Sequence, residues 1–488
     1  MRPRKSSSTY TISSGSESDP YAPSPSPPPA KRSKVTRKTA NAPACVASSR
    51  PHGPEYHSTS DVITSQDALL DWFEQVRDKR RMPWRKPYDP DLSPEAKGQR
   101  AYEIWVSEVM LQQTQVSTVI AYWNRWIAKW PTIADLAKAD LEEVNAMWRG
   151  LGYYRRARSL LEGAKTIMSN PKYKGRLPSD PIELEKGIPG VGKYTAGAIC
   201  STAYGTRTPL VDGNVHRLLT RLLAIHASQT GPATIKQLWK SAAEMVDALP
   251  DRPGVAGDWN QALMELGSQV CKPTAPDCGS CPLRSSCKAY AEVKRPPPQP
   301  TLACTLCEPI PTTIPSVCIF PMRKEKKTSR EEHEVVCILE WRSDTDRRWL
   351  FTKRPDKGLL AGLYEPPTTP IPPDSTSTDR ERLALESLST YVQLTQSPTP
   401  RYIASVPHIF SHINMTYHVV HVLVEPPPGT TLPPTTGIWY DADTVESANV
   451  GTGVKKVWAA VYGSWGRFEA KTAPKTIRKV MMPLMPRK

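Results

Sequence analysis

The chain has 488 residues, 39% of them hydrophobic, and a formal net charge of +16. That length allows two to four domains. No apolar run reaches the roughly 18 residues a membrane helix needs, so a soluble protein is expected. The basic balance favours a polyanionic partner, nucleic acid or an anionic membrane surface. Basic tails alone would produce the same excess, and no amphipathic basic helix supports the membrane choice. Ten cysteines in this length exclude a dense disulfide framework. Four of them crowd between 271 and 287, which suits a metal site in a reducing compartment.

Residues 1–60 are rich in Ser, Pro, Lys and Arg, with nine basic against three acidic residues. Such a segment cannot bury enough surface to fold and reads as a disordered basic tail. Within it KRSKVTRK (31–38) is a candidate nuclear import signal. The acid-free start MRPRKSSSTY also allows a mitochondrial address, which Glu17 and Asp19 weaken. From 61 to 290 the pattern is helical: Val116, Val119, Ile120, Trp123, Trp126 and Ile127 recur at three- and four-residue steps. Pro131, Pro178, Pro189 and Pro209 mark breaks between helices.

Residues 291–315 form a Pro-rich connector, expected to be stiff and extended. Residues 316–465 carry strand-like runs, namely SVCIFPM, HEVVCILEW, RRWLFTKR, MTYHVVHVLVE and TGIWYD, interrupted by one helix at 378–392. This is an α+β module. Residues 466–488 read as a basic tail, with seven Lys/Arg from Arg467 onward against a single Glu469. No internal repeat is visible.

Three stretches carry candidate chemistry. SEVMLQQTQV (107–116) places one acid, Glu108, among Val106, Val109 and Met110, with a row of amides after it. An apolar setting favours the protonated form of a carboxyl. GIPGVGKYTAGAI (187–199) sets Gly187, Gly190 and Gly192 before a small-residue helix that opens with Lys193. Backbone N–H groups at such a turn meet an anion, although tight turns use the same residues. PLVDGNVHRLLTR (209–221) puts Asp212 at a helix start, where it is also an ordinary N-cap. The cysteines Cys271, Cys278, Cys281 and Cys287 have the form C-x6-C-x2-C-x5-C, which suits an iron–sulfur cluster or zinc. Lys272, Arg284 and Lys288 around them are candidate phosphate contacts.

These motifs, with MPWR (82–85), GLGYYRRARSL (150–160), WNQALMELGSQVC (259–271) and IFSH (409–412), resemble the MutY-type adenine DNA glycosylases of eukaryotic form. That family lies within the helix-hairpin-helix superfamily of endonuclease III, and the resemblance covers roughly residues 61–465. It implies an all-α helix-hairpin-helix glycosylase domain at 61–290 whose loop 271–287 holds a [4Fe–4S] cluster. It also implies a Nudix-like domain at 316–465. The activity implied is removal of adenine mispaired with 8-oxoguanine or guanine, by flipping the base out of the duplex and hydrolysing its N-glycosidic bond.

In residue terms the resemblance makes Glu108 the acid that protonates adenine. Asp212 is the carboxylate that steadies the sugar cation, with Tyr194 and Asn214 in support. Arg80, Trp84, Arg85 and Gln261 match the adenine pocket. Gln113, Thr114, Leu151 and Tyr153 match the wedge that enters the duplex, and Phe410, Ser411 and His412 the loop that probes 8-oxoguanine. Gly187, Gly190, Gly192 and Lys193 match the phosphate-gripping hairpin.

Bifunctional relatives carry a Schiff-base lysine where this chain has Tyr194, so base removal with little or no strand cleavage is expected. The segment after GLYEPP (362–367) lacks the glutamate cassette of Nudix hydrolases, which leaves that domain a recognition role. Animal relatives bind zinc through three connector cysteines and a histidine. Here Cys304, Cys307 and His57 match, one cysteine is missing, and zinc's fourth position stays open, so a pair of free thiols is the competing reading. His333, His408, His418 and His421 read as structural. The expected partners are mispaired duplex DNA and, by family analogy, a sliding clamp, a checkpoint clamp or mismatch-repair proteins. No membrane partner is expected, and the chain is expected to be a monomer in the nucleus and also the mitochondrion. A thymine or pyrimidine glycosylase of the same fold and a non-catalytic iron–sulfur DNA-binding scaffold are the alternatives.

Overall fold

A computed structural model describes residues 52–294, 304–308, 316–322, 328–343, 346–355, 358–395, 398–410 and 412–468. The import-signal candidate, most of the connector, Ser411 and nearly all of the C-terminal tail lie outside the described residues.

The first half is helical. Its centre is the helix Pro94–Leu111, started by Ser93, whose hydroxyl accepts from Ala96 N, and by Pro94 in the first turn. From Tyr102 to Met110 only Glu103 is not buried, because the helix is packed on all sides. One neighbour, Lys193–Ala203, is buried from Thr195 onward. It comes close to the chain beside it because Gly197 lacks a side chain: a Cβ there would sit 2.4 Å from the Pro209 carbonyl oxygen. Two apolar cores flank this helix. One gathers Trp105, Trp126 and Trp148; the other gathers Leu219, Trp259 and Leu266. Burying each such side chain contributes about 2–3 kcal/mol before ordering entropy is counted. Capping boxes at Thr132/Asp135 and Asp140/Glu143 start the short helices Ile133–Lys138 and Leu141–Trp148.

The second half is a mixed sheet of β1 (Arg330–Arg342), β2 (Arg347–Lys353), β3 (Tyr364–Glu365), β4 (Thr368–Pro370), β5 (Pro400–Ile409), β6 (Ile413–Val424) and β7 (Ile438–Asp441). The order is β3-β2-β1-β6-β5, with β4 on β1 and β7 on β2. β1 and β6 run parallel in unbroken register from Arg330↔Ile413 to Trp341↔Val424. Alternation along β1 sends Val335, Cys337 and Leu339 toward the helix Ser377–Ser389. It sends Val336 and Ile338 toward the helix Thr452–Tyr462 on the other face. Both faces are covered, so β1 reads as a near-continuous apolar run.

Glu340 lies on the second face and is fully buried. Burial alone would raise its pKa. Hydrogen bonds from His421, Arg347, Tyr462 and Arg342 outweigh that and hold it at about 2. Glu340→Gln, which leaves these donors facing an uncharged amide, is expected to cost about 3 kcal/mol at pH 7, measured by urea unfolding.

Several expectations need correction. The basic tail does not extend to residue 60: Pro54–His57 form a helical turn, and His52 and His57 are buried. SVCIFPM is not a strand of the second half. Val317–Ile319 form a 3-10 turn, and Arg221 of the helical half donates to the Phe320 carbonyl. The C-terminal tail starts later than 466, since Phe468 stacks on Trp349 with ring centroids 4.9 Å apart. The strand β5 and the helix Thr452–Tyr462 were not anticipated.

Candidate active site and metal centres

Glu108 lies near the end of the central helix and is only 8% exposed. The Tyr194 hydroxyl donates to Glu108 Oε2 at 2.5 Å. Burial pushes the Glu108 pKa up to about 7, aided by the nearby Asp212 charge and opposed by the Tyr194 hydrogen bond and by Arg85. A carboxyl tuned to this range is a competent proton donor at neutral pH.

Asp212 caps the helix Gly213–Leu222. Its Oδ1 accepts from Val215 N at 2.7 Å and its Oδ2 from Asn214 Nδ2 at 2.9 Å. Burial raises its pKa, and those two hydrogen bonds pull it back. Asn214 is in turn fixed by Arg217, whose Nη2 donates to Asn214 Oδ1 at 3.1 Å and whose Nε donates to the Cys271 carbonyl at 3.0 Å. Glu108 and Asp212 line one open cleft, together with Tyr194, Asn214, Gln261 and Met264. Two carboxyls a hundred residues apart in sequence thus face a single space.

Trp84 and both pocket arginines line the same cleft. Arg80 and Arg85 converge on Glu265, at 3.2 and 2.9 Å. Glu265 is 3% exposed and was missed in the sequence, where it reads as one polar position of an amphipathic helix, Val255–Gln269. Its four-residue offset from Gln261, which puts both on one helix face, is the signal that would have found it.

Gln113, at φ 57°, and Thr114 also border the cleft. Leu151 does not protrude as a wedge; it is buried in the main helical core. Tyr153, 51% exposed and at φ 49°, is the exposed tip of that turn. A second residue missed in the sequence holds the turn in place. Arg156 is buried, and its Nη1 donates to the carbonyls of Val109, Met110 and Gln112, its Nη2 to those of Leu151 and Gly152. Burial lowers its pKa to about 10, so it stays charged.

In the hairpin, Gly190 adopts φ +76°, and a Cβ there would lie 2.4 Å from Ser159 Cβ. Gly187 and Gly192 complete the turn before Lys193. A Cβ on Gly192 would meet nothing within 4 Å, so the space before this helix is open. No side chain caps its N–H groups. An open helix N-terminus of this kind accepts a phosphate. The Lys193 ammonium lies over the Trp239 ring, 4.1 Å from its centroid.

In the loop between β5 and β6, Phe410 N donates to Ile413 O at 2.8 Å, and His412 is exposed. The other four histidines of the second half are packed or paired: His333 stacks on His418, His408 meets Phe410, and His421 joins Glu340.

Two centres suit metals. Cys271, Cys278, Cys281 and Cys287 line one cavity with Arg221, and none of them is in a disulfide. Four thiols around one cavity, with the Arg221 guanidinium 3.2 Å from Cys271 Sγ, fit an anionic thiolate-ligated centre. The second centre completes the site that the sequence left open. His52, His57, Cys304 and Cys307 place their ligand atoms within 4.8 Å of one another. His57 Nε2 is 3.4 Å from each sulfur and 3.0 Å from His52 Nε2. A tetrahedral zinc sets such edges at roughly 3.5 Å. His57 Nδ1 lies 2.7 Å from the Leu223 carbonyl, which leaves Nε2 to ligate.

A hairpin that offers backbone amides to a phosphate, beside a cleft with an acid and a carboxylate, defines a base-excising glycosylase. Residues 106–244 match the family described as HhH-GPD superfamily base excision DNA repair protein, and 337–460 match the NUDIX domain. The chain is 40% identical over 436 residues to the adenine DNA glycosylase of Homo sapiens, spanning 84% of this chain and 76% of that one. It is 36% identical to that of Schizosaccharomyces pombe, over 77% and 85% of the two chains. A solved thermostable thymine-DNA glycosylase aligns at 26% identity and a TM-score of 0.40, over 48% of this chain and 98% of that one. The chain belongs to the adenine DNA glycosylase family.

Proposed function

We propose that this glycosylase removes adenine mispaired with 8-oxoguanine, and with guanine less efficiently. The observation that carries this reading is the convergence of Glu108, held in its acid form near neutral pH, and Asp212 on one cleft. With the adenine flipped into that cleft, Glu108 donates a proton to the base. The C–N bond then breaks, and the Asp212 carboxylate stabilises the cationic sugar until water adds. Arg80, Arg85 and Glu265 form the wall against the base. Phe410 and His412, with Ser411 between them in the sequence, are the residues proposed to read the oxidised guanine.

The three carboxylates of the helix Ser377–Ser389 have structural partners: Asp379 caps it, Glu381 accepts from Tyr402 N, and Glu386 pairs with Arg382. That supports recognition rather than nucleotide hydrolysis by the second half. The test is an oligonucleotide duplex with adenine opposite 8-oxoguanine, treated with hot alkali after incubation. An alkali-labile site at the adenine is expected; thymine release from a G·T duplex with adenine left intact would refute the reading.

Base removal stops without strand cleavage. Tyr194 offers no amine, and Lys193 is held over Trp239. Borohydride is expected to trap no more than a trace of protein–DNA adduct; a stoichiometric adduct would contradict this.

The cysteine loop is proposed to hold a [4Fe–4S] cluster, which would fix the segment carrying exposed Lys272 and Arg284 beside the DNA. His52, His57, Cys304 and Cys307 are proposed to hold zinc, which would tie the N-terminal segment to the connector. Metal analysis of the full chain is expected to give about one zinc besides iron. His52→Ala is expected to lower the zinc and leave the iron unchanged; unchanged zinc would remove His52 from the site. A nuclear and mitochondrial location, and a sliding clamp, checkpoint clamp or mismatch-repair partner, complete the proposal. Imaging of the tagged chain and co-precipitation with the clamp test them.

A further inference from the structure

The helix Leu141–Trp148 ends in the turn that exposes Tyr153, and the second half of the protein grips this helix at both ends. At its start, the Glu142 carboxylate accepts from Lys353 Nζ at 2.8 Å and from Asn449 Nδ2 at 3.0 Å. The same Asn449 amide also donates to the Glu142 main-chain carbonyl at 3.2 Å. At its end, Arg149 Nη1 donates to the Glu446 carbonyl at 3.1 Å. Between the halves, Leu363 is fully buried in the core of the helical half, and Leu360 packs beside it. Asn449 is itself wired into the sheet, since its carbonyl accepts from Tyr364 N of β3 at 2.8 Å.

From this geometry we infer that Glu142 is a positioning residue for base eversion. Through Lys353 and Asn449 it sets the wedge turn against the domain that reads the opposite base. The inference rests on the proposed reading of 8-oxoguanine by the second half. An ion pair this exposed adds little stability. Its use is geometric: a wedge referenced to the reading domain advances fully only when that domain is seated on the oxidised base. Coupling between two such elements is commonly worth a five- to 150-fold effect.

The experiment measures single-turnover excision opposite 8-oxoguanine and opposite guanine for the full chain. It follows eversion by the fluorescence of 2-aminopurine at the adenine position. For Glu142→Ala, the preference for 8-oxoguanine is expected to fall roughly tenfold, with eversion slowed to match. Excision opposite guanine and the melting temperature stay as in wild type. The charge swap Glu142→Lys with Lys353→Glu is expected to recover much of the preference. An unchanged preference in Glu142→Ala overturns the inference, as does equal slowing on both duplexes, which marks a merely structural role. A wild type without preference removes the reading by the second half and this inference together; a wild type whose preference survives Glu142→Ala removes the inference alone.

Discussion

Glu108→Gln is expected to slow adenine release on the order of 10³-fold while the variant still binds the mispaired duplex. The amide keeps the shape of the side chain and can still accept from Tyr194, but it has no proton to give. The same pKa predicts the pH profile of the wild type. The acid form is required, so single-turnover rates fall as pH rises through about 7.

Stability falls in the same direction. The folded pKa is raised from 4.5 to about 7, so burial costs nothing where both folded and unfolded states are protonated, below about pH 4.5. The cost grows as pH rises and is complete once the folded carboxyl ionises above about 7. It amounts to about 3 kcal/mol. Glu108→Gln is therefore expected to melt higher than wild type at pH 8 and near it at pH 5, by calorimetry. Equal melting points at pH 8 would show that the carboxyl carries no burial penalty. Full activity of the variant would remove Glu108 from the chemistry.

Asp212→Asn is expected to lose at least about 10²-fold in excision rate with little loss of stability. Asparagine can still accept from Val215 N, so the helix Gly213–Leu222 keeps its cap, while the charge and the hydrogen bond accepted from Asn214 Nδ2 are gone. Asp212→Ala loses the cap as well and should unfold about 1 kcal/mol more easily. Urea unfolding and single-turnover kinetics on the two variants separate the capping role from the chemical one. An asparagine variant with wild-type rate would leave the carboxylate with only its structural role.

Much of this site was legible in the sequence because its chemistry sits on short motifs. Glu108 stood out as one acid among apolar residues, and the hairpin glycines and four cysteines announce themselves by spacing. Residues defined by distant partners did not stand out. Glu265 becomes a pocket residue only when two arginines about 180 positions earlier fold against it. His52 lies in a Pro- and Ser-rich stretch that reads as tail, and its partners Cys304 and Cys307 are some 250 residues on. The hydrogen bonds of Arg156 go to main-chain carbonyls, which no side-chain pattern betrays.

In the second half, β1 and β6 carried the apolar runs of doubly covered strands. The edge strand β5 escaped because its residues are mostly half-exposed and it contains Pro407. The helix Thr452–Tyr462 escaped among the β-branched residues around it. SVCIFPM has the composition of a strand, but its packing against the helical half decided its shape.

The grip of Arg156 has a consequence for how this protein inspects a duplex. One charged group, through five main-chain hydrogen bonds from its two terminal nitrogens, fastens the end of the helix bearing Glu108 to the turn that bears Tyr153. Probe and donor must therefore travel as one rigid piece. On the proposed reading, a tyrosine tip that stops short of full insertion between two sound base pairs withholds the acid by the same distance, and ordinary adenines are passed over without being threatened.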